Sequence, residues 1–348
     1  MKQNSLPLKQ WISKGLTIAF ILALLSTGYI FIHSSSATKY VIHWDKFNYL
    51  ALAAACLALV GSWLLEALRI YLILTGLGEK ISLKRIMGIN LATTFTGNIT
   101  PFYSGGVPTQ IYLFCRDGIQ AGKASAIVTM RVILSTLVFT TIVPFLLLFY
   151  NRKFSFGPIH QVTSIAIPIA FIVSGLLIGF IINPKLAKAL FVAFIKKFSA
   201  NRWVQKLVPA LERIIQELDV FHESIRQFRH GINFYLTLLC SFLYWALFFS
   251  IAPFVMFALG INAAHIFLEI IVFQFILVFI ISYLPIPGGS GVMELSFYSI
   301  LVFIPSNLRA MFVLFWRFLS YYLTTFVGGV VLLRIMNQPA RPTVDVLN

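Results

Sequence analysis

The apolar positions of this chain gather in long runs. Leu16 to Ile32, Phe47 to Leu77, Ala124 to Tyr150, Val162 to Ile182, Ile232 to Leu259 and Leu308 to Ile335 each approach or exceed the roughly 20 residues that cross a bilayer as helix. Six runs of this kind predict an all-α bundle of membrane spans. The first run follows Lys2, Lys9 and Lys14, as a secretory signal would, but it is longer than the about 7 to 15 residues of a signal's apolar region. No small-x-small cleavage pattern follows it, so we read it as a retained span.

Two further apolar segments are interrupted. Ile86 to Phe114 is broken by Asn98-Ile-Thr-Pro-Phe-Tyr-Ser-Gly-Gly-Val-Pro108, and His265 to Ile304 by Leu284-Pro-Ile-Pro-Gly-Gly-Ser-Gly291. Proline lacks an amide donor and glycine permits positive φ, so regular helix stops at both places. Backbone released at membrane depth has to be buried in protein or line a wet cavity. The legs after the breaks, Thr109 to Phe114 and Val292 to Ile304, are shorter than the about 17 residues of a span, and we read both segments as re-entrant hairpins. The alternative is two ordinary kinked spans per segment.

Charge placement orients this plan. The longest polar stretch, Asn183 to Gly231, holds nine Lys or Arg against four Asp or Glu, which places it in the cytoplasm. Within it, Trp203 to Phe228 is predicted as an amphipathic helix, with Val204, Leu207, Val208, Leu211, Ile214, Ile215, Leu218 and Phe221 at helical spacing. Counting spans outward puts both termini in the cytoplasm. The first hairpin then enters from the cytoplasm and the second from outside, as in an inverted repeat whose broken helices build a midplane site. The expected organisation is one transmembrane domain over 1–348. It comprises a first half, 1–160, with re-entrant 86–114; a span and amphipathic helix, 161–231; and a second half, 232–348, with re-entrant 265–304.

Composition agrees with this picture. Hydrophobic residues make up 59% of the chain and charged residues 11%, where globular domains carry about a quarter charged. A soluble core is excluded. The net charge of +16 gathers at span ends and in one loop, which fits membrane topology and anionic lipid better than nucleic acid. Cys56, Cys115 and Cys240 are scattered without metal-ligand spacing and predict neither disulfide nor zinc. His265 and Glu269 lie four apart near a span entrance, where an interfacial role fits better than a metal site.

Ionisable groups inside spans are costly and usually face a cavity or a partner. Glu66 and Arg69 sit three apart on one helical face, a structural ion pair or a functional one. Arg131 lies about 12 Å into its span at 1.5 Å per residue. Arg317 lies at similar depth in the last span, with Tyr321 and Tyr322 a turn further on and no acid nearby in its own helix. Glu294 opens the half-helix after the second break. It either caps that helix or pairs with Arg317 or Arg131 across the bundle as a gate. Two half-helix N-termini and two arginines aimed at one cavity would suit a phosphate-bearing headgroup. Gly288-Gly-Ser-Gly291 lacks the Lys of a nucleotide-binding loop and reads as a helix disruption.

At these motifs the sequence resembles the lysylphosphatidylglycerol synthase transmembrane-region family. That family comprises the flippase half of the bacterial multiple peptide resistance factor and stand-alone UPF0104-like relatives. The resemblance rests on Thr100-Pro-Phe-Tyr-Ser-Gly-Gly-Val-Pro-Thr-Gln-Ile-Tyr112, Arg116-Asp-Gly118, Arg131, Pro285-Ile-Pro-Gly-Gly-Ser-Gly-Val-Met-Glu294, and Arg317 with Tyr321. It covers nearly the whole chain. It implies a translocase of anionic, aminoacylated or polyprenyl-phosphate lipid working between pseudo-symmetric halves. In such a translocase Pro101, Gly105, Gly106, Arg116, Arg131, Pro287, Gly288, Gly289, Glu294, Arg317 and Tyr321 would line or shape the path. Many relatives carry Glu or Gln after the first Gly-Gly, where this chain has Val107.

Only thirteen residues follow Ile335, so no synthase half is expected and a separate lipid-modifying enzyme would supply any modified substrate. The reading is therefore a multi-pass protein of the cytoplasmic membrane that is not an enzyme, uses no cofactor or metal, and has membrane lipids and a second copy of itself as candidate partners. Two rivals stand beside it. One is a proton-coupled transporter of a small anion. The other is a membrane-embedded lipid-phosphate transferase, which the shortage of membrane-facing acids disfavours.

Overall fold

The computed structural model describes residues 47–150, 220–228, 230–282, 284, 286–301 and 304–339, together with Gly28 and Gly175. The expected spans Leu16 to Ile32 and Val162 to Ile182, and most of the amphipathic stretch Trp203 to Phe228, lie outside these residues; its end, 220–228, is helical. Among the described residues there is no strand. The helices are α1 (Tyr49–Gly76), α2 (Leu83–Asn98), α3 (Gly106–Arg116), α4 (Ala121–Tyr150), α5 (Ile232–Ala258), α6 (Phe267–Ile281), α7 (Val292–Ile300), α8 (Ser306–Arg317) and α9 (Thr324–Met336). A π-helical turn, Phe318–Leu323, joins α8 to α9 into one continuous rod.

Five described helical segments are long and apolar enough to cross a membrane: Tyr49–Gly76, Ala121–Ile142, Ile232–Ala258, Ala264–Ile281 and Leu308–Met336. Four of them are spans expected from the sequence. The fifth is the leg that leads into the second break, and its 18 residues, about 27 Å at 1.5 Å each, reach the length of a span. The legs after the breaks stay short. α3 has 11 residues and α7 has 9, so neither crosses about 30 Å of hydrocarbon.

The described residues pack as two compact units. The first draws on 47–67, 84–110 and 242–338, and the second on 68–83, 111–241 and 339. In the second unit, the buried Arg69 of α1 donates from Nη1 to Ser135 Oγ of α4 at 2.7 Å and to Ser241 Oγ of α5 at 3.2 Å. One guanidinium thus ties three helices through hydroxyls. Lys123 and Glu79 form a partly exposed ion pair at 2.7 Å.

In the first unit, helices meet where side chains are missing or where a backbone acceptor is freed. Pro253 inside α5 has no amide, so the carbonyl four residues earlier, Phe249 O, loses its helical donor. The buried Gln274 of α6 supplies one from Nε2 at 2.7 Å. Gly328 of α9 lies against the Leu91 carbonyl of α2, so tightly that a Cβ would overlap it. Gly88 and Val331 meet further along the same pair of helices at ordinary distance, 3.5 Å from where a Cβ would sit.

Gly328→Val is therefore expected to destabilise the protein by about 1–3 kcal/mol through overpacking. Gly88→Ala should stay within about 0.5 kcal/mol of the parent. Thermal unfolding of both variants in detergent checks the pair; equal melting temperatures would contradict the close approach.

Candidate functional site

Both interruptions expected from the sequence are present, and in the first unit they lie against one another. Their backbones match. Thr100 (φ −116°, ψ 145°) and Ile286 (φ −109°, ψ 118°) are extended, as residues before proline prefer. Pro101 and Pro287 follow, each opening a short 3-10 turn. Next come two left-handed residues in each break, Phe102 (φ 55°, ψ 19°) with Tyr103 (φ 57°), and Gly288 (φ 57°, ψ 13°) with Gly289 (φ 64°). The amides of Ser104 and Ser290 then donate to the carbonyls of Pro101 (3.0 Å) and Pro287 (3.1 Å). The breaks diverge from these serines onward, where ψ is −27° in one and 138° in the other, and Gly291 (φ 88°) is left-handed while Gly105 is not.

Each break seats a tyrosine ring on glycine. The Tyr103 ring lies where a Cβ on Gly97 or Gly106 would be, and the Tyr321 ring where a Cβ on Gly288 would be. Holding Phe102 and Tyr103 at positive φ costs of order 1–3 kcal/mol each, the kind of strain that clusters at functional sites.

The freed backbone is satisfied by side chains. Thr100 Oγ1 accepts from the Gly105 amide at 2.8 Å. At the matching place in the second break, Glu294 Oε2 accepts from the Gly291 amide at 2.7 Å. The other carboxylate oxygen, Oε1, accepts from Arg317 Nε at 2.7 Å, and both side chains are at most 5% exposed. Arg317 Nη2 donates to the Gly288 carbonyl at 3.0 Å, and its guanidinium stacks 4.3 Å from the Tyr321 ring centre. Glu294 is thus both a cap of α7 and the ion-pair partner of Arg317. Beside the pair, Phe297 packs on Trp316, Phe273 and Phe312 at centroid distances of 4.3, 4.9 and 5.6 Å, an apolar wall that strengthens the attraction.

Tyr321 extends the arrangement to the first break. Its hydroxyl donates to the Asn98 carbonyl, at the end of α2, at 3.1 Å. Asn98 Nδ2 donates to Thr325 Oγ1 at 2.7 Å. Arg317, Tyr321 and Thr325, successive turns of one rod, therefore hold both breaks. The π-turn between Arg317 and Thr324 sets their phase, and single π-turns inside helices often mark functional sites.

Of the residues expected at the site, the first unit contains Pro101, Gly105, Gly106, Pro287, Gly288, Gly289, Glu294, Arg317 and Tyr321. Arg116, at the end of α3, and Arg131, in α4, are half-buried and belong to the second unit. Asn98, Thr325 and the π-turn escaped the sequence reading. The repeated Pro-x-x-Ser-Gly of Pro101 to Gly105 and Pro287 to Gly291 is the signal that pairs the two breaks.

The family model described as the lysylphosphatidylglycerol synthase TM region matches residues 10–328. The chain belongs to that family. A relative described as a UPF0104 membrane protein, from Archaeoglobus fulgidus, is 28% identical over 329 residues, covering 90% of this chain and 94% of its own length. No solved structure matches. This member of the lysylphosphatidylglycerol synthase TM-region family is therefore a membrane protein with a lipid-related role, built of several apolar helices.

Breaking a buried pair from one side leaves an uncompensated charge, at a cost of about 3–5 kcal/mol. Arg317→Met alone is expected to lower the unfolding temperature more than the double variant Arg317→Met, Glu294→Met, in which neither charge remains. A double variant as unstable as the single one would show that Arg317 and Glu294 are not coupled.

Proposed function

We propose that this protein is a lipid translocase of the cytoplasmic membrane, with both termini in the cytoplasm, and that the two breaks are re-entrant hairpins of an inverted repeat. The observation that carries the reading is the matched backbone of Thr100–Tyr103 and Ile286–Gly289, two copies of one turn lying against each other and held by one rod. Broken helices of this kind in paired repeats form midplane substrate sites. Family membership supports a lipid as the substrate.

The Glu294–Arg317 pair supplies a mechanism. The N-terminus of α7 is an anion position, and the chain's own carboxylate fills it. An incoming headgroup phosphate, an anion that can also accept from a guanidinium, competes with Glu294 for Arg317. Exchange of one anion for the other releases the Gly291 amide and the second break together. The substrate class is an anionic, aminoacylated or polyprenyl-phosphate lipid, with its tails left in the bilayer. The protein acts as a carrier and not as an enzyme, and a separate lipid-modifying enzyme would supply a modified substrate.

A second reading draws on the same pair. A buried carboxylate that gains and loses Arg317 would also serve a proton-coupled transporter of a small anion.

Reconstituted protein is expected to move a fluorescent phospholipid across liposomes faster than empty vesicles do. Arg317→Ala and Glu294→Gln should each slow this by about tenfold or more, the loss expected when ~1.4 kcal/mol of a buried contact is removed. Wild-type rates equal to those of empty vesicles, together with pH-gradient-driven uptake of inorganic phosphate, would replace this reading with the second.

A further inference from the structure

α1 and α5 leave a groove where the pair reaches a membrane surface. The two helices run antiparallel within the first unit. The Asn48 amide, just before α1, donates to the carbonyl of Ala258, the last residue of α5, at 2.9 Å. Further along the pair, the Leu247 side chain lies where a Cβ on Gly61 would be, so the helices touch there. At the tied end the groove encloses about 500 Å³, the size of a small-molecule site. Both helices are long and apolar enough to cross a membrane, which places their shared end at its surface.

The groove is apolar inside and polar at its mouth. Ala51 and Ala54, a turn apart on α1, leave it open, and Phe254 and Phe257, a turn apart on α5, give it an aromatic side. Phe267, at the start of α6, holds both rings, edge-on to Phe254 at 5.9 Å and stacked on Phe257 at 6.3 Å. The mouth carries Asn48 and Asn262, both exposed. No charged side chain lines the groove among the described residues.

Each asparagine has already engaged its oxygen. Asn48 Oδ1 accepts from the Ala51 amide at 3.1 Å, and Asn262 Oδ1 accepts from the Ala264 amide at 3.3 Å. A backbone amide bonds the oxygen of a side-chain amide and not its nitrogen, so these contacts fix which atom is which. Both Nδ2 groups are left as donors with no acceptor among the described residues.

We propose that this groove binds an ester-linked acyl lipid, with the chain along the alanines and phenylalanines and the ester carbonyls at the two asparagine amides. Asn48 to Ala54 covers about 9 Å at 1.5 Å per residue, a depth that takes a chain from the interface into hydrocarbon. Uncharged donors select a neutral acceptor. A phosphate is better held by Arg or Lys, which the groove lacks, and a sugar would call for acceptors as well as donors. Tyr49 beside the mouth is 66% exposed, in the manner of aromatic side chains at a membrane interface. The groove shares no residue with the two breaks. Its assignment therefore stands apart from translocation and needs only that the chain spans a membrane.

The test compares an ester with an ether. Full-length protein in detergent is titrated with a diacyl phosphatidylcholine and with the dialkyl ether lipid of the same chains and headgroup, which lacks both carbonyls. Bound lipid is counted by native mass spectrometry. The diacyl lipid is expected to bind at least about fivefold tighter, the scale of one or two hydrogen bonds. Asn48→Asp together with Asn262→Asp keeps the capping oxygens and removes the donors. It should bring the two lipids within about twofold of each other while the lipid-free unfolding temperature stays that of the parent, because Asp caps as Asn does. Ala54→Phe fills the groove and should weaken both lipids by at least about fivefold, through loss of the apolar contact.

Equal binding of the ester and the ether by the parent, or an ester preference that survives the paired Asp change, would overturn the proposal. Ala54→Phe alters neither asparagine and decides the case alone if the Asp pair fails to fold. Undiminished lipid binding by that variant would overturn the proposal as well.

Discussion

A helix that breaks inside a membrane leaves carbonyls without donors, and no water stands by to satisfy them. In this protein the rod formed by α8, the π-turn and α9 meets that demand for both breaks. Arg317 donates to the Gly288 carbonyl and Tyr321 to the Asn98 carbonyl, while Thr325 accepts from the Asn98 side chain. The rest of the first unit follows from this constraint. Gly288 has to lack a side chain because the Tyr321 ring occupies that space, and Gly328 because the rod presses on the Leu91 carbonyl two turns before the first break. Arg317 can enter so apolar a place only because Glu294 is there to meet it, and Glu294 is there because it also caps α7.

The two breaks solve one backbone problem with different side chains. Both use proline to open the turn and two left-handed residues to reverse it. The second break uses glycines for the left-handed pair, which cost little at positive φ. The first uses Phe102 and Tyr103, which are strained there, and gains from Tyr103 a ring that packs against a glycine of each leg, Gly97 and Gly106. Where the second break places a carboxylate on its first free amide, the first places a threonine hydroxyl. One half of the site is thus ionic and the other neutral. Such a division fits a ligand with a charged end and an uncharged end, as a lipid headgroup has.

Much of the architecture was legible in the residues. Helix runs at 49–76, 232–258 and 308–336 follow from length and apolarity alone, and both breaks follow from proline and glycine inside apolar runs. Glu294 was recognisable as a cap from its place three residues after Gly291, but its partner was narrowed only to Arg317 or Arg131. Arg317 and Arg131 lie at similar depths in their spans, and depth in a span says nothing about which helix faces which. Asn98 and Thr325 were invisible for a related reason. Neutral polar residues are common in membrane helices, and most of them, like Thr94 and Thr96, merely bond back to their own helix. The π-turn has no sequence signature at all, since it arises from fitting Arg317 and Tyr321 to targets on two different elements.

The π-turn also bears on how the site would move. An extra residue in one turn is a local fault in the hydrogen-bond ladder, and such a fault is the least costly place for a helix to change phase. Here it falls between the residue that holds the second break and the residues that hold the first. A change of phase at Phe318–Leu323 would therefore turn Arg317 relative to Tyr321 and Thr325, uncoupling one break from the other without melting either helix. Releasing Arg317 from Glu294 removes the contact that pins the rod on its α8 side, so the anion exchange and the phase change would act on the same point. Arg317, just before the fault, stacks on Tyr321 within it at 4.3 Å, a contact that such a motion would break.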